Sequence, residues 1–168
     1  MIYRVKQFLW AISANFKEVD YDYVESFLNN EELILFNRLK KGEQIHCIKV
    51  SKDCVSIGKE KGINSKEELF KLAKLGLLHD IGKLYYPISV LKKSFLVLGK
   101  KLSNNKMSNF QNIKAIYIYY NHANKAFDYL KEENYDKNFV EAIKNHHSST
   151  KHNKNIFLCI LKEADDRN

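Results

Sequence analysis

Apolar residues fall at helical spacing along most of the chain. Ile2, Val5, Leu9, Ile12 and Phe16 line one face of residues 2–17, the recurrence of an amphipathic helix. Asp20 is placed to cap a short helix through Leu28, and EELILFNRL at 31–39 reads as another. A longer helix spans Glu43 to Glu60 and is broken by KGIN. Ser65, with Glu68 three residues on, forms a capping box that opens a helix reaching His79 and Asp80. Gly82 is placed to end that helix. Pro87 suits the start of a helix over ISVLKKSFLVLGKKL, residues 88–102. KLSNNKMSN reads as a loop, helices follow over 110–133, 136–147 and 155–166, and TKHNKN at 150–155 reads as a turn. No run alternates apolar and polar residues as a half-buried strand does. The expectation is an all-α fold of about seven to nine helices in one domain over 1–168, with 1–42 as a helical N-terminal extension.

Composition supports that reading. One proline and six glycines favour long helices over a many-turned β fold. A hydrophobic fraction of 45% suits a packed core and excludes a disordered chain. No apolar run approaches a membrane span. The N-terminal patch carries Arg4, Lys6 and Gln7 without a small-residue cleavage site, so it reads as an amphipathic helix, not a signal peptide. Cys47, Cys54 and Cys159 are an odd set without metal-knuckle spacing and read as reduced core cysteines of a cytoplasmic protein. The net charge of +8 is compatible with phosphate-bearing ligands or nucleic acid. The lysines lie along the whole chain, however, which is the distribution of a solvated surface and argues for no particular partner. Oligomeric state has no signature in the sequence.

The chemistry sits where imidazoles and carboxylates interrupt apolar stripes. In LLHDIGKL, residues 77–84, His79 and Asp80 stand among core residues. Burying a lone carboxylate is costly unless a cation compensates it. His46 precedes Val50, Cys54 and Ile57 on one helical face, and His122 precedes Ala126 and Tyr129. His146 follows Phe139 and Ile143, and Asp165 follows Leu158 and Leu161. A single such histidine is commonly a satisfied core residue. Five helices each aiming a ligand-type side chain inward indicate a metal site in a bundle core. Imidazole with carboxylate suits Mn, Fe, Zn or Ni rather than Ca or Mg alone. Adjacent helical residues diverge by about 100°. His79 and Asp80 can therefore share one ion past the helix end, or serve two if Asp80 bridges.

The ordered set His46, His79-Asp80, Asp165 resembles the HD-domain metal-dependent phosphohydrolase superfamily, and HCIKV and LAKLGLLHDIGKL match it closely. His122 in NHANKAFDYL and His146 in AIKNHH are similar to the extra histidines of its binuclear branch, and KEADD supplies the last aspartate. The resemblance covers an HD core of about 44–166, and the upstream LILFNRLKKGEQIHC is similar to a small bacterial HD group. It implies a first divalent metal on His46, His79, Asp80 and Asp165, and a second shared by Asp80 with His122 and His146. It also implies a metal-bridging hydroxide that attacks a phosphate ester or nucleotide. Lys83, in the family's HDIGK form, would contact a phosphate or the developing oxyanion, and its alternative is a solvated lysine after a helix end. His147 is open between substrate contact, support of the ligands and simple exposure. Asp166 reads as a supporting or surface residue, and His152 is assigned no role.

SSTKHNKN follows His146-His147, where the cyclic-di-GMP phosphodiesterases of the superfamily carry a Glu and a DGxGYP stretch. The chain departs from that class. A diadenosine-polyphosphate-hydrolysing HD family shares the order of ligands but usually has Thr in place of His147. The insert 88–102 suits a core helix with lysines outside, with a lid or a partner-binding or membrane-surface helix as alternatives. Two other functions remain consistent with the pattern. One is an HD-fold di-iron oxygenase. The other is a non-catalytic protein that binds a nucleotide or a partner and regulates.

Overall fold

The computed structural model describes residues 18–86, 109–110, 112–130, 135–148 and 154–168. The expected helices over 2–17 and 88–102, and most of the loop KLSNNKMSN, lie outside them. Among the described residues there are seven α-helices, a 3-10 turn after the fourth of them, a 3-10 fragment at 109–110 and no strand. The helices are α1 (Tyr21–Glu25), α2 (Asn30–Asn37), α3 (Lys41–Glu60), α4 (Lys66–Leu78), α5 (Lys114–Leu130), α6 (Lys137–Asn145) and α7 (Ile156–Arg167), with the 3-10 turn Ile81–Tyr85 after α4. The protein is all-α, as its sequence indicates.

The starts of these helices follow local chemistry. Asp20 accepts from the Tyr23 amide at 3.2 Å and opens α1, which stops at Glu25, short of the expected Leu28. Asn29 and Glu32 form a reciprocal capping box at α2, at 2.8 and 2.7 Å. That box is readable in the sequence, yet the sequence reading began the helix one residue late. Ser65 caps α4 by accepting from the Glu68 amide. After α3, Gly62 takes φ +86°, with the Gly62 amide donating to Lys59 and the Ile63 amide to Gly58. This pattern ends a helix on a left-handed residue, and glycine adopts it without strain.

The core gathers Val24 and Phe36 with Val50, Cys54 and Ile57 of α3, Leu72, Leu75 and Leu78 of α4, Ile143 of α6, and Leu158 and Leu161 of α7. α3 packs on α4 and α7, α5 on the 3-10 turn and α6, and α6 on α7. Two glycines let α3 and α4 come close. A Cβ on Gly76 would overlap the Ser51 backbone, and one on Gly58 would press into Leu72. Ser51 seals the crossing by donating to the Ala73 carbonyl at 2.7 Å.

One buried carboxylate fastens the N-terminal helices to this frame. Glu32 is 3% exposed and holds the Lys74 ammonium at 2.8–2.9 Å and the Tyr135 hydroxyl, besides its capping bond. It joins α2, α4 and the entry to α6. Removing one partner of such a pair strands the other, which costs about 3 kcal/mol. Glu32→Ala is therefore expected to lower unfolding stability by about that amount in denaturant titration. A loss below about 1 kcal/mol would place the bond among weak surface pairs.

The thiols give a second check. Cys47 and Cys54 are buried and Cys159 is exposed, and none of the three is in a disulfide. Burial raises the Cys47 thiol and pushes Cys54 up to about 12 from an ordinary 9.0. At neutral pH both stay protonated and shielded. A thiol-exchange reagent is expected to titrate one thiol per folded chain and three after denaturation. Two or more fast thiols in the folded protein would show that the core opens readily.

Candidate metal centre

His46 projects from the second turn of α3. His79 closes α4 with helical backbone (φ −57°, ψ −31°), and Asp80 steps out of the helix (φ −102°, ψ 5°) into the 3-10 turn. That step removes the divergence of helical neighbours. The His79 Nε2 comes to 3.4 Å from Asp80 Oδ2. His122 lies within α5, His146 ends α6 with His147 beside it, and Asp165 lies near the end of α7.

These side chains meet in one cluster. His46 Nε2 is 3.1 Å from Asp165 Oδ1 and 3.6 Å from Asp80 Oδ2. The other Asp80 oxygen, Oδ1, is 3.3 Å from His122 Nε2. His122 Nε2 and His147 Nε2 are 2.8 Å apart. The possible ligand atoms of Asp80, His122, His146 and His147 all lie within 4.8 Å of one another, as do those of His46, His79 and Asp80, and those of His79, His146 and Asp165. Asp80 thus turns one oxygen to each side of the cluster.

The glycine placed to end α4 has a different task. α4 stops at Leu78, and the positive-φ glycine of the described residues is Gly62, not Gly82. Gly82 instead lies flat on α5, where a Cβ would collide with the His122 carbonyl and the Ala126 amide nitrogen. The HD pair is therefore flanked by two close approaches: Gly76 draws α4 onto α3, which carries His46, and Gly82 draws the turn onto α5 at His122.

Ring orientation is fixed from outside. His79 Nδ1 bonds the Gly76 carbonyl at 2.8 Å, His122 Nδ1 the Ile118 carbonyl at 3.1 Å, and His146 Nδ1 the Ile143 carbonyl at 2.6 Å. A carbonyl only accepts, so each Nδ1 donates and, in the neutral ring, each Nε2 lone pair faces the cluster. His79 Nε2 is buried with the Asp80 and Asp165 carboxylates at 3.4 and 3.7 Å, and His146 Nε2 is buried with no hydrogen-bond partner among the described residues. Such an orphan costs about 1–3 kcal/mol unless something accepts its lone pair. A divalent metal does so. Two imidazole nitrogens on one ion with bonds of about 2.1 Å stand about 3 Å apart when their bonds are perpendicular, the separation of His122 and His147. The residues present fit metal.

The charges are compensated in place. Burial would raise the Asp80 carboxyl, but the Lys83 ammonium and His79 hold it well below the usual carboxylate range. Burial opposes that for Asp165 too, yet His46 and His79 keep it well below as well. Burial disfavours charge on His79, and the Asp80 and Asp165 carboxylates outweigh it and hold its pKa well above the ordinary value. Burial and then His147 push His146 well below it. Burial of its inner edge, then His122, lower His147 to about 4. His146 and His147 are therefore neutral at pH 7, the ligating form.

The structure brings together all six metal candidates: His46, His79, Asp80, His122, His146 and Asp165. Lys83 also reaches the cluster. Its Nζ contacts Asp80 Oδ2 and lies 2.7 Å from Glu43 Oε2, so it is not the solvated lysine that was the alternative. Two residues do more here than their sequence context signals. His147 joins the group around His122 and His146, with half of its side chain exposed (49%). Glu43 holds Lys83, and its signal was its place three residues before His46, on the same face of α3. Asp166 is exposed and outside the three groups.

The HD domain family model matches residues 44–167. The chain belongs to the HD domain family. Neither the curated proteins nor the solved structures gave a match. No helix among the described residues is long and apolar enough to cross a membrane.

Proposed function

We propose that the protein is a phosphohydrolase that uses two divalent metal ions to cleave a phosphomonoester or phosphodiester, with a nucleotide or related small molecule as substrate. The observation that supports this most is the split carboxylate of Asp80: Oδ2 toward His46 and His79 (3.6 and 3.4 Å), Oδ1 toward His122 (3.3 Å). His46, His79, Asp80 and Asp165 would hold one ion, and Asp80, His122, His146 and His147 the other. Mn, Fe, Ni and Zn suit this donor set. Bound there, the metals supply a water acidic enough to attack phosphorus at neutral pH and positive charge for the phosphoryl oxygens.

The chain's own groups do the rest. The Nδ1 donations of His79, His122 and His146 hold the ligating rings in one tautomer. Lys83 balances the buried Asp80 charge, and its ammonium is placed to meet a phosphoryl oxygen at the cluster edge. Glu43 steadies that ammonium. His147, half exposed, forms the solvent side through which substrate arrives. Three cysteines outside any disulfide suit a reducing compartment, and we place the protein in the cytoplasm.

The test is product analysis with Mn- and Fe-loaded protein on nucleoside phosphates, dinucleoside polyphosphates, cyclic dinucleotides and a generic phosphodiester. Metal-dependent release of phosphate or of a phosphomonoester is expected. Oxygen uptake without phosphate release would move the protein to the oxygenases. No chemistry at all from fully metal-loaded protein would favour a binding role.

A further inference from the structure

We infer that Tyr85, Tyr117 and Lys125 form a stacking shelf for the nucleobase of a nucleotide whose phosphate sits at the metal cluster. The phosphate end of this inference rests on the proposed activity, while the shelf rests on its own observations. Tyr85 ends the 3-10 turn that follows Asp80, and it is 55% exposed. Its ring is not loose on the surface. It lies against the Tyr117 ring, with centroids 6.2 Å apart and planes at 53°, and the Lys125 ammonium sits 4.9 Å over it. Lys125 is itself anchored on Asp128 at 3.1 Å. Gly82, pressed on the α5 backbone at His122, fixes the turn that carries Tyr85.

The shelf stands on the two elements that carry Lys83 and His122. Tyr117 and Lys125 flank His122 on α5 by five and three residues, which is about 8 and 5 Å along the helix. Tyr85 follows by two residues the Lys83 whose ammonium touches Asp80. An exposed aromatic ring backed by a second ring and a cation is the platform on which bases stack, with each stacked base contributing about 1–3 kcal/mol. An ordinary packing role would bury the Tyr85 ring. A sugar phosphate without a base would leave the shelf unused.

The experiment compares binding of adenosine 5′-monophosphate, ribose 5-phosphate and adenosine to Mn-loaded protein by titration calorimetry, with saturation-transfer NMR for adenosine. The monophosphate is expected to bind about fivefold to about 150-fold more tightly than ribose 5-phosphate. Tyr85→Ala is expected to erase that advantage and leave ribose 5-phosphate binding unchanged, while Tyr85→Phe keeps most of it. Equal binding of the two phosphates by the native chain would overturn the shelf, as would a Tyr85→Ala variant that weakens both alike or neither. Failure of all three probes to bind would overturn it too. The proposed activity fails separately: a Tyr85-dependent preference for the monophosphate, with no ester hydrolysed, would leave the shelf standing and remove the phosphohydrolase.

Discussion

Asp80→Asn is expected to lower metal-dependent phosphate release by at least about a hundredfold and to leave fewer than two ions per chain. Asparagine keeps the shape but loses the charge and one oxygen acceptor. Loss of a group that merely supports a metal ligand already costs about 10–100-fold in affinity or activity. Asp80 faces both sides of the cluster, so one substitution weakens both groups together. It also strands Lys83, whose ammonium then keeps Glu43 alone. Metal analysis and turnover in one preparation decide the matter. Native values for both would reduce Asp80 to a salt-bridge partner of Lys83.

Gly82→Ala is the second large effect, and it acts without touching a ligand. The new methyl would fall on the His122 carbonyl and the Ala126 amide, backbone that cannot swing aside as a side-chain tip can. Either the 3-10 turn lifts or α5 moves away. Overpacking of this kind costs about 1–3 kcal/mol of stability. The functional loss is expected to exceed that, because the displacement separates His122 from Asp80. The His122 group is expected to lose its ion while the His46 group keeps one. Gly42→Ala is the control: a Cβ there meets nothing within 4 Å, so stability should hold or rise slightly. Equal behaviour of the two variants would show that the turn has slack at Gly82.

The helices and the metal candidates were legible because apolar periodicity and ligand chemistry both write into local sequence. Asp20 and Ser65 mark helix starts, and KGIN marks a stop that Gly62 executes. His46, His122, His146 and Asp165 stand on apolar faces, so their convergence follows from the stripes, with His122 and His146 buried and His46 and Asp165 half-buried. Gly82 was misread because a glycine after a helix signals a left-handed cap, whereas its use here is contact with a helix more than thirty residues away. No local pattern carries that information. Glu43 and His147 were under-read for a related reason. Glu43 acts through Lys83, forty residues distant, and the inward reach of His147 depends on how the end of α6 meets α5. Glu32 is the same case, since its burial requires Lys74 and Tyr135 together.

The proposal of two catalytic metal ions rests on the Asp80-centred cluster. Its most direct test is titration of chelator-stripped protein with Mn(II), following bound ions and ester hydrolysis in the same samples. Two ions per chain are expected, with hydrolysis appearing only as both sites fill. Hydrolysis by stripped protein at the full rate, or saturation with no ion retained, would contradict it.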